Sequence, residues 1–214
     1  MNIEKLKLAE AHFLQMYPKG FADPDLEQIS KRHRVDAMSD FTQAAFEKKQ
    51  FGNERQIIDN LIKTVSRSSM VSMFEKPKFK DHINSLSKTD QSSVVAALKK
   101  LLHGNQEKGF NELLDILSDG KIAKWSLMTI TMVYFNSKTD VFVKPTTAKG
   151  IINMLELDLV YKPRPYWEFY VGYRRAINDI KAMIEPSLTP NNAAVTGFLM
   201  MSLGLQFYLF APPF

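Results

Sequence analysis

Cysteine is absent from this 214-residue chain, which also has only four histidines and two tryptophans. Without cysteine there is no disulfide framework and no thiolate metal site, which favours a reducing compartment, the cytoplasm. The histidines show neither an HExxH spacing nor a close pair, and no GxGxxG motif occurs. We therefore expect no metal, no cofactor and no catalytic residues, and the sequence leans away from an enzyme.

A strong excess of one charge is also missing. The net charge is only +5, and residues 51–100, with nine basic and five acidic side chains, carry most of that excess. Its centre lies near Lys63–Lys80. Proteins held to nucleic acid mainly by charge usually have a denser basic patch, so the bias alone is typical of a solubilising surface.

Strand signals are scarce, and helical periodicity dominates. The best strand candidate, Val141–Val143, is too short to build a sheet by itself. One helical stripe, by contrast, has successive spacings of four, three, four, three and four residues: Tyr166, Tyr170, Tyr173, Ile177, Ile180 and Ile184. We predict an all-α protein, a single domain over residues 1–214 with about eight or nine helices; residues 1–80 would form any N-terminal subdomain.

Capping residues predict where several helices begin. Helices are expected over 2–16, from Asp23-Pro24 with a break near Arg34, and from Asn53 to before Pro77. Others are expected from Ser87, Asn105 and Ile122, and over 146–155 and 165–184.

The apolar C-terminal stretch, Ala193–Ala211, is long enough to cross a bilayer. It contains polar residues and glycines, however, and the nearest basic residue upstream is Lys181. We favour a buried apolar C-terminal helix over a membrane anchor, and an interface between copies of the chain stays open.

Basic and aromatic residues alternate within Val141–Arg175, the one pattern in the chain that suggests binding. Either Thr146 or Thr147 is expected to cap a helix whose N-terminus, with neighbouring lysines, suits a phosphate or carboxylate. Arg164 beside an exposed Trp167 would allow stacking on a base or a peptide. The alternative is an ordinary capped helix with rings that cover the core. The predicted ligand-binding residues are Lys144, Thr146, Thr147, Lys149, Arg164, Trp167, Arg174 and Arg175.

Four segments resemble an uncharacterised family of bacterial all-helical proteins: KIAKW at 121–125, VFVKPTTAKGI at 141–151, YKPRPYWEFY at 161–170 and PNNAAVTGFLMM at 190–201. The resemblance covers roughly the second half of the chain. It implies a soluble bacterial protein and adds no activity, cofactor or catalytic residue.

Three functions remain open at this stage. The first is a binding module for an anionic partner, either nucleic acid or a phosphorylated or carboxylated ligand. The second is a homo-oligomeric structural or interaction protein that associates through its C-terminal helix. The third is an enzyme whose carboxylates come together only in three dimensions.

Overall fold

The computed structural model describes residues 1–203, apart from the side chain of Ser30, and these residues form no β-strand. Short 3-10 turns lie at Gly20–Ala22, Pro24–Leu26, Lys48–Gly52 and Pro186–Leu188. The α-helical segments are α1 Ile3–Met16, α2 Glu27–His33, α3 Val35–Ala45, α4 Glu54–Arg67, α5 Glu75–Ser85, α6 Lys88–His103, α7 Gln106–Asp119, α8 Trp125–Phe135, α9 Pro145–Leu155, α10 Trp167–Met183 and α11 Asn192–Leu203. The all-α prediction is confirmed, with slightly more helices than expected.

Side-chain caps begin five of these helices, including α11, where Asn191 accepts from the Ala194 backbone N–H at 2.9 Å. Each of the other four caps accepts a hydrogen bond from the backbone N–H three residues further on, at 3.0, 3.2, 3.1 and 2.9 Å for Asn2, Asn53, Ser87 and Asn105. Such a cap satisfies one of the N–H groups that have no partner inside a helix. These four starts were predicted from the sequence because capping is a local interaction.

Two regions differ from the predicted helices. After Asp23 the chain forms a 3-10 turn, and α2 begins only at Glu27. The break predicted near Arg34 is confirmed, because this residue, with φ 47°, lies in the left-handed region and separates α2 from α3. The helix α5 was not predicted, because Pro77 was taken as the end of the preceding segment. Pro77 is the third residue of α5, and the first turn of a helix tolerates proline because its N–H groups have no intrahelical acceptor.

The core is organised around α8, whose residues from Trp125 to Tyr134 are all buried. The helices α3, α4, α6 and α7 pack against α8, which explains why its sequence is apolar on every side. On α10, the predicted stripe faces inward, with Tyr170, Tyr173, Ile177 and Ile180 completely buried. One hydrophobic cluster of buried side chains extends from Leu6 to Leu199.

Gly109 permits the close approach of α6 and α7. A Cβ atom at this position would lie 2.3 Å from the backbone nitrogen of Leu101 and 2.7 Å from the carbonyl oxygen of Ala97. Because both neighbours are backbone atoms, a side chain here would force the two helices apart.

The C-terminal prediction, Ala193–Ala211, lies partly outside the described residues. Within them, α11 is helical and packs against α1, α9 and α10, with Val195, Phe198 and Leu199 fully buried. Among residues 1–203, no helix combines the length and the apolar character that a bilayer crossing requires.

Candidate anion-binding surface

A buried threonine fixes where the chain enters α9. The Thr129 hydroxyl donates to the Trp125 carbonyl at 2.7 Å and accepts from the Val143 backbone N–H at 3.0 Å. Val141–Val143 is buried against α8 as a result, and the next residue, Lys144, is exposed. The apolar run before the lysine therefore anchors the start of α9 to the core.

The prediction that Thr146 or Thr147 caps this helix is wrong. Lys144 occupies the N-cap position with extended backbone, φ −98° and ψ 121°, and no side chain caps the helix. Pro145 is the physical reason, because its fixed φ suits the first helical position and it keeps the preceding residue extended. The helix consequently begins before both threonines.

Three of the four predicted residues at this helix start face solvent. Lys144, Thr146 and Lys149 are exposed, whereas Thr147 is 8% exposed. The spacing explains the difference, because residues three apart, such as 146 and 149, lie on one face of a helix. The hydroxyl of Thr146 and both ammonium groups are therefore accessible.

The end of α2 brings further positive charge to the same place. The ring of His33 lies with Nδ1 2.9 Å from the Ser69 hydroxyl. Its pKa lies below the ordinary value, first because the ring is partly buried and then because Arg32 and Lys144 repel a second positive charge. Two cations from segments more than 100 residues apart thus act on one imidazole.

We call Arg32, His33, Lys144, Thr146 and Lys149 the α9 basic surface. None of these residues takes part in the six ion pairs found among residues 1–203. Its cations therefore have no carboxylate partner within the described part of the chain.

Next to this surface lies a cluster of aromatic rings. The ring centroids of Tyr161 and Tyr166 lie 6.4 and 6.3 Å from that of Trp125, whose indole N–H donates to the Lys162 carbonyl at 2.8 Å. Lys149 Nζ is 5.8 Å from the Tyr161 centroid, and Lys162 Nζ is 5.1 Å from that of Tyr166. The two tyrosines are half-buried, so lysines and rings share the edge of the cluster.

Trp167 and Arg174 make their contacts within the chain. Trp167 is half-buried, with its centroid 5.5 Å from that of Phe110 and 5.6 Å from that of Tyr170. The Arg174 guanidinium lies 5.8 Å from the Trp167 centroid. The aromatic rings of α10 therefore cover the core. This arrangement is the alternative to an exposed surface on which a base or a peptide would stack.

A buried carboxylate holds Arg174. Asp140 Oδ1 accepts from Arg174 Nη1 and from the Tyr170 hydroxyl, each at 2.8 Å, and Oδ2 accepts from Asn136 at 3.2 Å. Arg174 also donates to Gln106 at 3.0 Å. The Asp140 side chain is only 2% exposed, so this ion pair is shielded from water.

The pKa values of this network follow from the same contacts. Burial is the main cause that raises the pKa of Tyr170 well above its ordinary value, and the neighbouring Asp140 carboxylate adds to it. Burial alone would lower the pKa of Arg174, but its hydrogen bond to Asp140 and the charges around it produce a net increase. Arg174 is therefore a neutralised structural cation.

Arg164 and Arg175 complete the predicted set. Both are exposed, and no hydrogen bond or ion pair within residues 1–203 joins either of them to the α9 basic surface. The structure therefore brings Lys144, Thr146 and Lys149 together on one helix and places Trp167 and Arg174 in a different environment.

Sequence reasoning missed Arg32 and His33 as members of this surface. No local signal marks them, because their proximity to Lys144 depends on how α2 packs against the rest of the chain. Within the described part of the chain, no group of three or more acidic or histidine side chains has an arrangement that would hold a metal ion.

Comparison of the chain with models of protein families, with curated proteins and with solved structures finds no match. The resemblance to a family of bacterial helical proteins accordingly stays a prediction, and functional inference rests on the geometry of the chain itself.

Proposed function

We propose that this protein is a binding module for an anionic partner, which it binds through the α9 basic surface. The observation that supports this most directly is the exposure of Lys144, Thr146 and Lys149 at the start of α9, with no acidic partner for either lysine among the ion pairs of residues 1–203. Cations that are not needed to neutralise internal charge are free to neutralise a ligand.

The chemistry of the surface suits phosphate or carboxylate oxygens. The N-terminus of α9 adds about half a positive charge and backbone N–H groups without intrahelical acceptors. The exposed Thr146 hydroxyl is a further donor. The proposed ligand set is therefore Lys144, Thr146, Lys149, Arg32 and His33, with Arg164 and Arg175 as outlying cations.

Nucleic acid and smaller phosphorylated or carboxylated ligands share this chemistry, and a salt titration separates the nucleic-acid version. We would titrate the intact protein into a labelled single-stranded oligonucleotide at about 50 mM and about 200 mM salt. Each phosphate contact contributes about −0.7 to the slope of log K against log salt, so Arg32, Lys144 and Lys149 predict a slope of about −2.

The variant Lys144→Gln with Lys149→Gln should weaken oligonucleotide binding and reduce the magnitude of that slope by about 1.4. A charge-matched control is Lys48→Gln with Lys99→Gln, two exposed lysines outside this surface. Binding that is absent at the lower salt concentration, or equally weakened by both variants, would contradict the nucleic-acid version. Binding of inorganic polyphosphate alone would indicate a smaller phosphorylated ligand.

The C-terminal stretch supports a second, separate proposal. Because Val195, Phe198 and Leu199 of α11 are buried within the chain, we propose that α11 belongs to the core of a single chain; the rest of Ala193–Ala211 lies outside the described residues. Association of two chains through this stretch is the competing function. Light scattering of the full chain tests it, because a well-folded monomer would reject the homo-oligomer.

A further inference from the structure

The loop between α4 and α5 exposes two large apolar side chains next to each other. Met73 is 75% exposed and Phe74 is 74% exposed, the highest values for large hydrophobic residues among residues 1–203. Exposure of a single apolar residue is ordinary, but two neighbours at the end of a loop, directly before α5, form a local apolar projection.

Contacts of the loop with the core and within itself hold Met73 and Phe74 in place. The Ser68 hydroxyl lies 2.9 Å from that of Tyr134 in the core, and Val71 is 4% exposed. The loop also bonds to itself, because Ser72 Oγ accepts from the Phe74 backbone N–H at 3.3 Å. The structure therefore presents the pair outward from an anchored loop.

Positive charge follows the apolar pair directly. The first half of α5 contains Lys76, Lys78 and Lys80, and the loop lies within the region where the sequence has its basic excess. Of the nearby acids, Glu75 points inward and accepts from the Ser126 hydroxyl at 2.6 Å, whereas Asp81 is exposed. Two exposed lysines, Lys78 and Lys80, and the half-buried Lys76 thus lie beside the loop, with one exposed acid, Asp81.

The contact between Ser69 and His33 also places this loop next to the α9 basic surface. Met73 is four residues beyond Ser69, a span of at most about 14 Å. His33 therefore lies near the apolar pair, in addition to the lysines of α5.

From this arrangement, we propose that the Met73–Phe74 loop docks the protein on an anionic phospholipid membrane. The two apolar side chains enter the interface between headgroups and acyl chains, and the lysines of α5 bind the headgroups. The proposal does not require the proposed function above, since Met73, Phe74 and the lysines of α5 all lie outside the α9 basic surface.

Charge and shape favour a membrane over the other occupants. A nucleic acid would offer bases that stack on aromatic rings. Met73 and Phe74, two exposed neighbours directly before α5, are better suited to insertion into an apolar layer. Lysines that flank apolar residues are attracted to anionic lipids, each by about fivefold in affinity. A second copy of this chain would bring the same lysines against each other.

The absence of cysteine allows a site-specific test. We would label the Met73→Cys variant with an environment-sensitive fluorophore and add vesicles of phosphatidylcholine with or without phosphatidylserine. A blue shift only with the anionic vesicles is expected. The control is Leu8→Cys, at an exposed position of α1, and it should give no shift.

Two further variants separate insertion from charge. Met73→Ser with Phe74→Ser should weaken sedimentation with the anionic vesicles about tenfold. Changing Lys76, Lys78 and Lys80 to Gln should weaken it by about fivefold for each lysine. Circular dichroism and the melting temperature should be unchanged for the serine variant, because both replaced side chains are exposed.

Each other outcome overturns the proposal. If the serine variant binds vesicles as well as the natural chain, the contact is purely electrostatic. A blue shift without vesicles would show that the loop is already covered. If that shift depends on protein concentration, another copy of the chain covers the loop; if it does not, the chain itself does. If only Lys144→Gln with Lys149→Gln abolishes vesicle binding, the membrane contact belongs to the α9 basic surface.

Discussion

The start of α9 and the middle of α10 both carry a basic residue, but the two residues differ in exposure and in their charged neighbours. At α9, Lys144 is exposed and lies near Arg32 and His33. At α10, Arg174 is 23% exposed and donates to the buried carboxylate of Asp140 at 2.8 Å. The first cation adds to a positive field, whereas the second neutralises an internal negative charge.

This difference shows that basic residues interleaved with aromatic residues do not by themselves define a binding surface. The deciding residue at α10 is Asp140, which directly precedes the segment whose charges suggested binding. A cation held by a buried carboxylate is costly to separate from it, whereas an unpaired exposed cation can serve a ligand.

Removal of Asp140 should have the largest effect. The variant Asp140→Ala leaves the Tyr170 hydroxyl without its acceptor and Arg174 without a carboxylate, with only Gln106 still accepting from it, so we expect a loss of about 3–5 kcal/mol in the free energy of unfolding. Urea denaturation measures it. The control Asp119→Ala, at the exposed end of α7, should change stability by less than about 0.5 kcal/mol. Equal effects of the two changes would show that the Asp140 network is not structural.

Replacement of Arg174 should cost less. In Arg174→Met, the buried Asp140 carboxylate loses its cation but keeps its donors from Tyr170 and Asn136, so we expect a loss of about 2 kcal/mol. The double variant with Asp140→Asn should be less destabilised than the sum of the single changes, because no unpaired charge remains buried. Full additivity would show that the two groups are not coupled.

Alkaline pH should destabilise the α10 side of the core. Burial raises the pKa of Tyr173, whose hydroxyl has no hydrogen-bond partner among the described residues. Because the pKa of Tyr173 is higher in the folded state than in the unfolded state, its contribution to the free energy of unfolding is complete below about pH 10. The contribution is lost as the pH rises further, by about 1.4 kcal/mol per pH unit. Urea denaturation at several pH values should show a shallower loss for Tyr173→Phe. An unchanged slope would contradict this.

The smallest effect concerns the α9 basic surface. Lys144→Gln removes one of the charges that lower the pKa of His33, so that pKa should rise, as NMR titration of the ring would show. Because the folded pKa is lowered, the His33 contribution to stability is present above the unfolded pKa and is lost as pH falls. Arg174→Met should leave the His33 titration unchanged. A shift in the Arg174 variant alone would contradict the separation of the two regions.

Helix starts were predictable to the extent that their causes are local. Asn2, Asn53 and Ser87 each cap a helix through the backbone three residues away, so a short window of sequence contains the whole interaction. Prediction failed at α5 because Pro77 is compatible with both a helix end and a first turn. Which of these occurs depends on Phe79 and Ile83, whose burial against other helices supports α5.

The candidate site was predictable only in part. The sequence identified Lys144, Thr146 and Lys149 through their position at a helix start. It did not identify Arg32 or His33, and it treated Arg174 like the other cations. Those assignments depend on residues distant in the chain, since Gln106 and Asp140 lie 68 and 34 residues from Arg174.

The sequence by itself determined the helical class, the starts at Asn2, Asn53, Ser87 and Asn105, and the inward stripe of α10, because these follow from periodicity and from hydrogen bonds within one turn. Only the tertiary structure decided which charges are neutralised and which face water. Accessibility and pairing of a side chain depend on every helix that packs around it, and no short stretch of sequence contains those neighbours.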